Sequence, residues 1–165
     1  MITICRWRSA DKFLAEHKYD FLISAGWRGV KHCTLRAKHN YIVDVRDVTP
    51  LHSRGDHEAL LVDAPNAVVG AIRFGREHAG DGPFDLLSHC HLGVSRSTAL
   101  ALVFLVARGI SEHDAIHAVY SSRGDKCKPN WYFLTIADQL MGTNILGACR
   151  AQGRRLKSTR RDLKI

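Results

Sequence analysis

Five residues separate Cys90 from Arg96 within the run Ser88-His89-Cys90-His91-Leu92-Gly93-Val94-Ser95-Arg96-Ser97-Thr98. A thiol and a guanidinium at that spacing suit chemistry on a phosphate, provided the chain between them can fold around one. The flanks allow it. Phe84-Asp85-Leu86-Leu87 reads as a short buried strand, and Ala99 to Ala107 as an apolar helix stopped at Arg108-Gly109. The run between them therefore caps a helix N-terminus, where successive N–H groups lack intrahelical partners and the helix dipole favours negative charge. The backbone of His91, Leu92, Gly93, Val94 and Ser95, together with Arg96, is expected to cradle the phosphate. Gly93 permits the turn that brings those groups inward.

The same field stabilises a thiolate and lowers the pKa of Cys90 from its ordinary value of about 8.5, which makes it the candidate nucleophile. Arg96 supplies a planar, permanently charged fork for two phosphate oxygens, held as charge spreads in the transition state. The Ser97 hydroxyl is placed to stabilise the thiolate as it leaves a phosphocysteine. His89, at the strand end, is expected to support the loop through backbone hydrogen bonds. An inert buried cysteine would explain Cys90 alone, but not Gly93, Arg96 and Ser97 with it. His89 and His91 flank Cys90, yet alternate residues of an extended segment face opposite ways, so no metal site is expected.

This run resembles the His-Cys-x-x-Gly-x-x-Arg-Ser signature of the cysteine-dependent protein tyrosine phosphatases, in particular the dual-specificity branch and its small bacterial members. His89, Cys90, Gly93, Arg96 and Ser97 carry the match, and Leu92 departs from the Ala usual there. The likeness extends over residues 19–142 and includes Lys128-Pro129-Asn130 ahead of a last helix. It implies hydrolysis of phosphotyrosine, and of phosphoserine or phosphothreonine if the pocket is shallow, through a phosphocysteine intermediate and with no cofactor. A phosphorylated protein or peptide is the substrate so implied.

Such an ester leaves as an alkoxide or phenoxide, so a general acid must protonate it. The resemblance implies an upstream Asp, after a strand and before the helix that leads into the catalytic strand. Asp63, after Leu60-Leu61-Val62 and 27 residues ahead of Cys90, meets that description at a spacing short for the family. It could also serve as a plain helix N-cap. Asp56, in a loop with Gly55, is the reserve. Asp44 and Asp47, beside a strand, read as hydrogen-bonding or solvated residues. Two other functions fit the run: a module that binds phosphorylated partners without turning them over, and a lipid or RNA 5′-phosphatase. Sulfur transfer is disfavoured by the Arg-Ser ending.

The elements that must position these residues are legible in order. Ile2-Thr3-Ile4, Asp20 to Ser24, Tyr41 to Val45 and Glu58 to Val62 read as strands beside Phe84 to Leu87. Ser9 to Glu16 reads as a short helix, Trp27 to Asn40 as loop or short helix, and Asp47 to Asp56 as loop. Asp63-Ala64-Pro65-Asn66 opens a helix that carries Val68, Val69, Ile72 and Phe74. Ser111-Glu112-His113-Asp114 resembles a capping box, and a last helix begins at Asn130 and ends near Gly142. Strands alternating with helices predict an α/β domain, with a largely parallel sheet of four to five strands flanked by helices.

The length of 165 residues with 45% apolar content suits one domain, set at residues 1–149, followed by a basic tail over 150–165. From Arg150 onward seven basic residues stand against Asp162, so the tail carries most of the net charge of +8. It reads as a solvated terminus that could meet nucleic acid, acidic lipid or an acidic partner. The longest apolar run is too short for a membrane span, and five scattered cysteines indicate neither a disulfide framework nor a structural zinc site. A cytoplasmic protein is the expectation.

Overall fold

The structure, a computed structural model, describes residues 1–27, 32–50 and 57–162, with side chains to residue 156. Four strands form a parallel sheet in the order β1 (Ile2–Arg6), β4 (Leu86–Cys90), β2 (Phe21–Gly26), β3 (His39–Asp44). Strand β4 is central and buried along its length, as a parallel strand covered on both faces must be. Its register sets the site. Cys90 pairs with Arg6, and His89 lies between Cys5 on β1 and Ser24 on β2.

Alternation sends neighbouring β4 side chains to opposite faces. On one face, Leu87 joins Cys5, Ala10, Tyr19, Leu22 and Cys33 under α1 (Trp7–Glu16). On the other, Leu86 and Cys90 meet the main core. That core is built by α2 (Ala64–Glu77), α3 (Arg96–Ala107), α4 (Glu112–Arg123) and α5 (Trp131–Met141). Helix α3 is buried from Arg96 to Leu105, which is why its sequence is apolar all round and shows no amphipathic period. Its N-terminus abuts the C-terminal end of β4, so the intervening turn has a rigid element on each side.

Expectation and structure part at residues 58–62. Ala59–Asp63 is a π-helical turn continuous with α2, not a strand. Leu61 and Val62 are exposed while Ala59 and Ala64 are buried, a helical distribution, and Ala and Leu favour helix over strand. Among the described residues the strands thus number four. Residues 51–56, within the expected loop, and 28–31, within the expected irregular stretch, lie outside the described residues. At the other end, α6 (Ile145–Asp162) continues through the expected boundary at residue 149, with Ile145 and Cys149 buried in the core. Residues 150–162 of the basic tail are therefore helical, continuous with first turns of α6 that are anchored in the core. No helix among the described residues is long and apolar enough to cross a membrane.

Candidate active site

Residues 91–95 connect β4 to α3 as a tight loop, and the key to it is where its carbonyls go. Arg123, at the end of α4, donates from Nε to the Gly93 carbonyl (2.5 Å) and from Nη2 to the Leu92 carbonyl (2.9 Å). The Val94 carbonyl accepts from the Thr98 hydroxyl (2.6 Å) and from the Lys128 N–H (3.2 Å). The Ser95 carbonyl accepts from the Thr98 hydroxyl (2.8 Å), the Asn130 N–H (3.2 Å) and the Ala99 N–H (3.1 Å). Four successive carbonyls are thus held from outside the loop. Each peptide unit is planar, with its N–H opposed to its C=O, so the N–H groups of residues 93–96 turn the other way, toward the loop's centre. That is an anion nest on a helix N-terminus.

Gly93 is required twice over. Its φ of +65° suits glycine, and a Cβ there would overlap the backbone of Cys5.

At the loop's base, the Cys90 Sγ lies 3.2 Å from the Ser97 Oγ, both side chains buried. Burial opposes a Cys90 thiolate. Hydrogen bonds from the Ser97 hydroxyl and from the N–H groups of Ser97 and Val94, with the charge of Arg96, outweigh it and bring the thiol below its ordinary value. The contrast with Cys5, Cys127 and Cys149, which burial drives up to about 12, is complete.

Arg96 is buried, and its Nη1 donates to the carbonyls of Gly26 (3.1 Å) and Val45 (2.6 Å) at the ends of β2 and β3. Its Nε is buried with no partner among the described residues, and leaving such a donor unpaired costs about 1–3 kcal/mol or more for a charged group. One edge of the guanidinium anchors the side chain; the other keeps a donor in reserve.

His89 departs from its expected role. It is 1% exposed on the α1 face, away from Cys90, and neither ring nitrogen has a hydrogen-bond partner among the described residues. Burial lowers its pKa to about 4, with nearby His32 adding to the effect and Asp11 opposing it, so the ring is neutral. It supports the strand by packing. His91 and Leu92 are exposed at the loop's rim.

Of the acids, Asp63 stands half-buried at the junction of the π turn with α2 and makes no capping bond. Asp56 lies outside the described residues. Asp47, read from sequence as a hydrogen-bonding or solvated residue, makes its hydrogen bonds to the loop itself: its Oδ1 accepts from the Ser95 hydroxyl (2.7 Å) and from the Asn130 side-chain amide (2.8 Å). The Asn130 amide also donates to the Val48 carbonyl (3.0 Å), while its Oδ1 caps α5 by accepting from the N–H groups of Tyr132 and Phe133. Arg123 and Asp47 are the residues that sequence reasoning missed. Neither carries a local signal, because each reaches the loop from a distant element.

No family model and no curated protein matches the sequence. Solved structures do match, and they define the class: the chain has the fold of the dual-specificity phosphatases. It resembles human DUSP28 at 23% identity over 92% of this chain and 94% of that one, with a TM-score of 0.52. A mouse protein described as a dual-specificity phosphatase, in complex with zinc tungstate, matches at 23% identity over 89% and 82%, with a TM-score of 0.49. The narrower likeness to small bacterial members finds no support in these matches and rests on the motif alone.

Proposed function

We propose that the protein is a phosphoric monoester hydrolase that dephosphorylates phosphotyrosine, and phosphoserine or phosphothreonine to the extent that its rim admits them, through a phosphocysteine intermediate. The observation that carries this reading is the buried, unpartnered Nε of Arg96 beside a thiol of lowered pKa. A bound phosphate oxygen satisfies that donor, and the inward N–H groups of the loop hold the other oxygens while Cys90 attacks in line. The ester oxygen leaves with a proton from a carboxylic acid. Water then displaces the Cys90 thiolate from phosphorus, its proton going to the same carboxylate, and the Ser97 hydroxyl stabilises the departing sulfur.

We assign the proton donor to Asp47, the acid whose carboxylate touches the loop, ahead of Asp63. Hydrolysis of aryl phosphates tests both assignments. Cys90→Ser is expected to abolish turnover. Asp47→Asn is expected to lower kcat about 100-fold, and more with phenyl than with nitrophenyl phosphate. The same loss from Asp63→Asn instead would return the role to Asp63. Wild-type protein that binds phosphate without turnover would overturn the enzyme reading.

A further inference from the structure

Helix α6 leaves part of its length unpacked. Between it and the chain that joins α4 to α5 runs an open groove of about 1320 Å³. Its floor is apolar, with Trp131, Leu134 and Leu146, while its walls are basic, with Lys128 on one side and Arg150 and Arg154, one helical turn apart, on the other. All three cations are exposed, and among the described residues none has an ion-pair partner. Asp125 is the one acid in the lining.

The groove adjoins the phosphate loop through its own wall. Lys128 lines the groove and its N–H donates to the Val94 carbonyl; two residues on, the Asn130 N–H holds the Ser95 carbonyl. The groove thus borders the loop on the outer side, where its carbonyls face, and a substrate chain that crosses the loop's rim beside Cys90 would meet it there. The shape decides among anionic occupants. A bilayer surface would be met by apolar groups that project, and here they lie in a concavity. Single-stranded nucleic acid would call for a series of open ring faces, and Trp131 is a single half-buried ring packed edge-on to Tyr132.

We propose that this groove receives the segment flanking the phosphorylated residue of a protein substrate, and that it selects segments combining acidic side chains with apolar anchors. The proposal rests on the phosphatase reading above and names its substrate class. The loop recognises the phosphate alone, so discrimination among substrates must come from surface beyond it. Apolar burial on the floor supplies contact, and the basic walls supply charge selection and steering, which salt weakens.

The test compares two phosphotyrosine peptides of equal length, one flanked by Glu and Leu, the other by Lys and Ser, alongside an aryl phosphate. Wild-type protein is expected to show kcat/KM about tenfold higher for the acidic peptide at low salt, a preference that shrinks as salt rises. Arg150→Glu combined with Arg154→Glu, and the milder double change to Gln, should erase it while aryl phosphate turnover stays the same. Equal kcat/KM for the two peptides, or a preference that survives in both double variants, overturns the groove. If wild-type protein turns over no aryl phosphate, the phosphatase reading fails on its own. Fluorescence anisotropy of the same peptides then decides the groove: loss of acidic-peptide binding in the double variants upholds it, and unchanged binding overturns it. Binding to phosphatidylserine vesicles that both double variants abolish, with no peptide preference, would overturn it in favour of a membrane contact.

Discussion

Arg96 and Arg123 divide the work of two guanidinium groups. Arg96 is inside the site, its Nε buried and without a partner among the described residues; Arg123 is outside and fixes the carbonyls of Leu92 and Gly93. The second is a positioning residue, and its loss should free two peptide units to rotate. Arg123→Met is expected to lower kcat for an aryl phosphate by about 10- to 100-fold, on the scale of losing an oriented backbone donor, with partial rescue by Lys. It should also raise the pH midpoint of Cys90 alkylation, a readout that a purely structural role would leave in place. His89 makes a prediction of opposite character. With its folded pKa near 4 against about 6.5 unfolded, the native state binds fewer protons in that interval. Its contribution is whole above pH 6.5 and is lost as pH falls toward 4, on the order of 3 kcal/mol. His89→Leu, close in volume, should flatten the urea-denaturation free energy between pH 6.5 and 4; an unchanged slope would show that the ring is not held neutral.

At the scale of elements, the site is a junction that several ends share. β4 delivers Cys90, α3 delivers Arg96 and Ser97, and α4 brings Arg123. The start of α5 brings Asn130, which caps its own helix through Oδ1 and ties Asp47 and Val48 to the loop through its amide. These two duties separate by mutation. Asn130→Ala loses both, with about 1–2 kcal/mol of stability from the cap and a fall in kcat/KM as the segment 45–48 loosens. Asn130→Ser keeps a capping oxygen and should retain most of the stability while showing the same fall in kcat/KM, measured by thermal melts and aryl phosphate kinetics. Equal activity in Ser and wild type would show that the Asp47 tie is dispensable. The strand-to-helix junction, the capping box at Ser111 and the start of α5 at Asn130 were legible in sequence because each is a local pattern; that Asn130 caps the helix with its own side chain came from the structure. Residues 58–62 were misread because five apolar-rich residues have no period of their own; the continuity with α2 that makes them helical begins only after them.

Across the whole molecule, the sheet sorts the chain's chemistry by face and depth, which no spacing reveals. The α/β plan, a sheet with helices on both faces, followed from the alternation of strands and helices, but His89 and Cys90, adjacent in sequence, enter different environments because β4 is covered on both sides. The five cysteines show the same sorting. All are buried and free, so depth alone does not distinguish them. Burial raises Cys5, Cys33, Cys127 and Cys149, and only at Cys90 do directed hydrogen bonds and a guanidinium overcome it. Since alkylation follows the thiolate fraction, brief treatment of the folded protein with iodoacetate at neutral pH should give one adduct, at Cys90, by peptide mass spectrometry. Phosphate should slow it by occupying the loop. In denaturant the protection and the activation vanish together, and all five thiols should label at similar rates. A folded protein that labels first at Cys5 or Cys127 would show that the loop does not generate the thiolate, and the nucleophile assignment would fall with it.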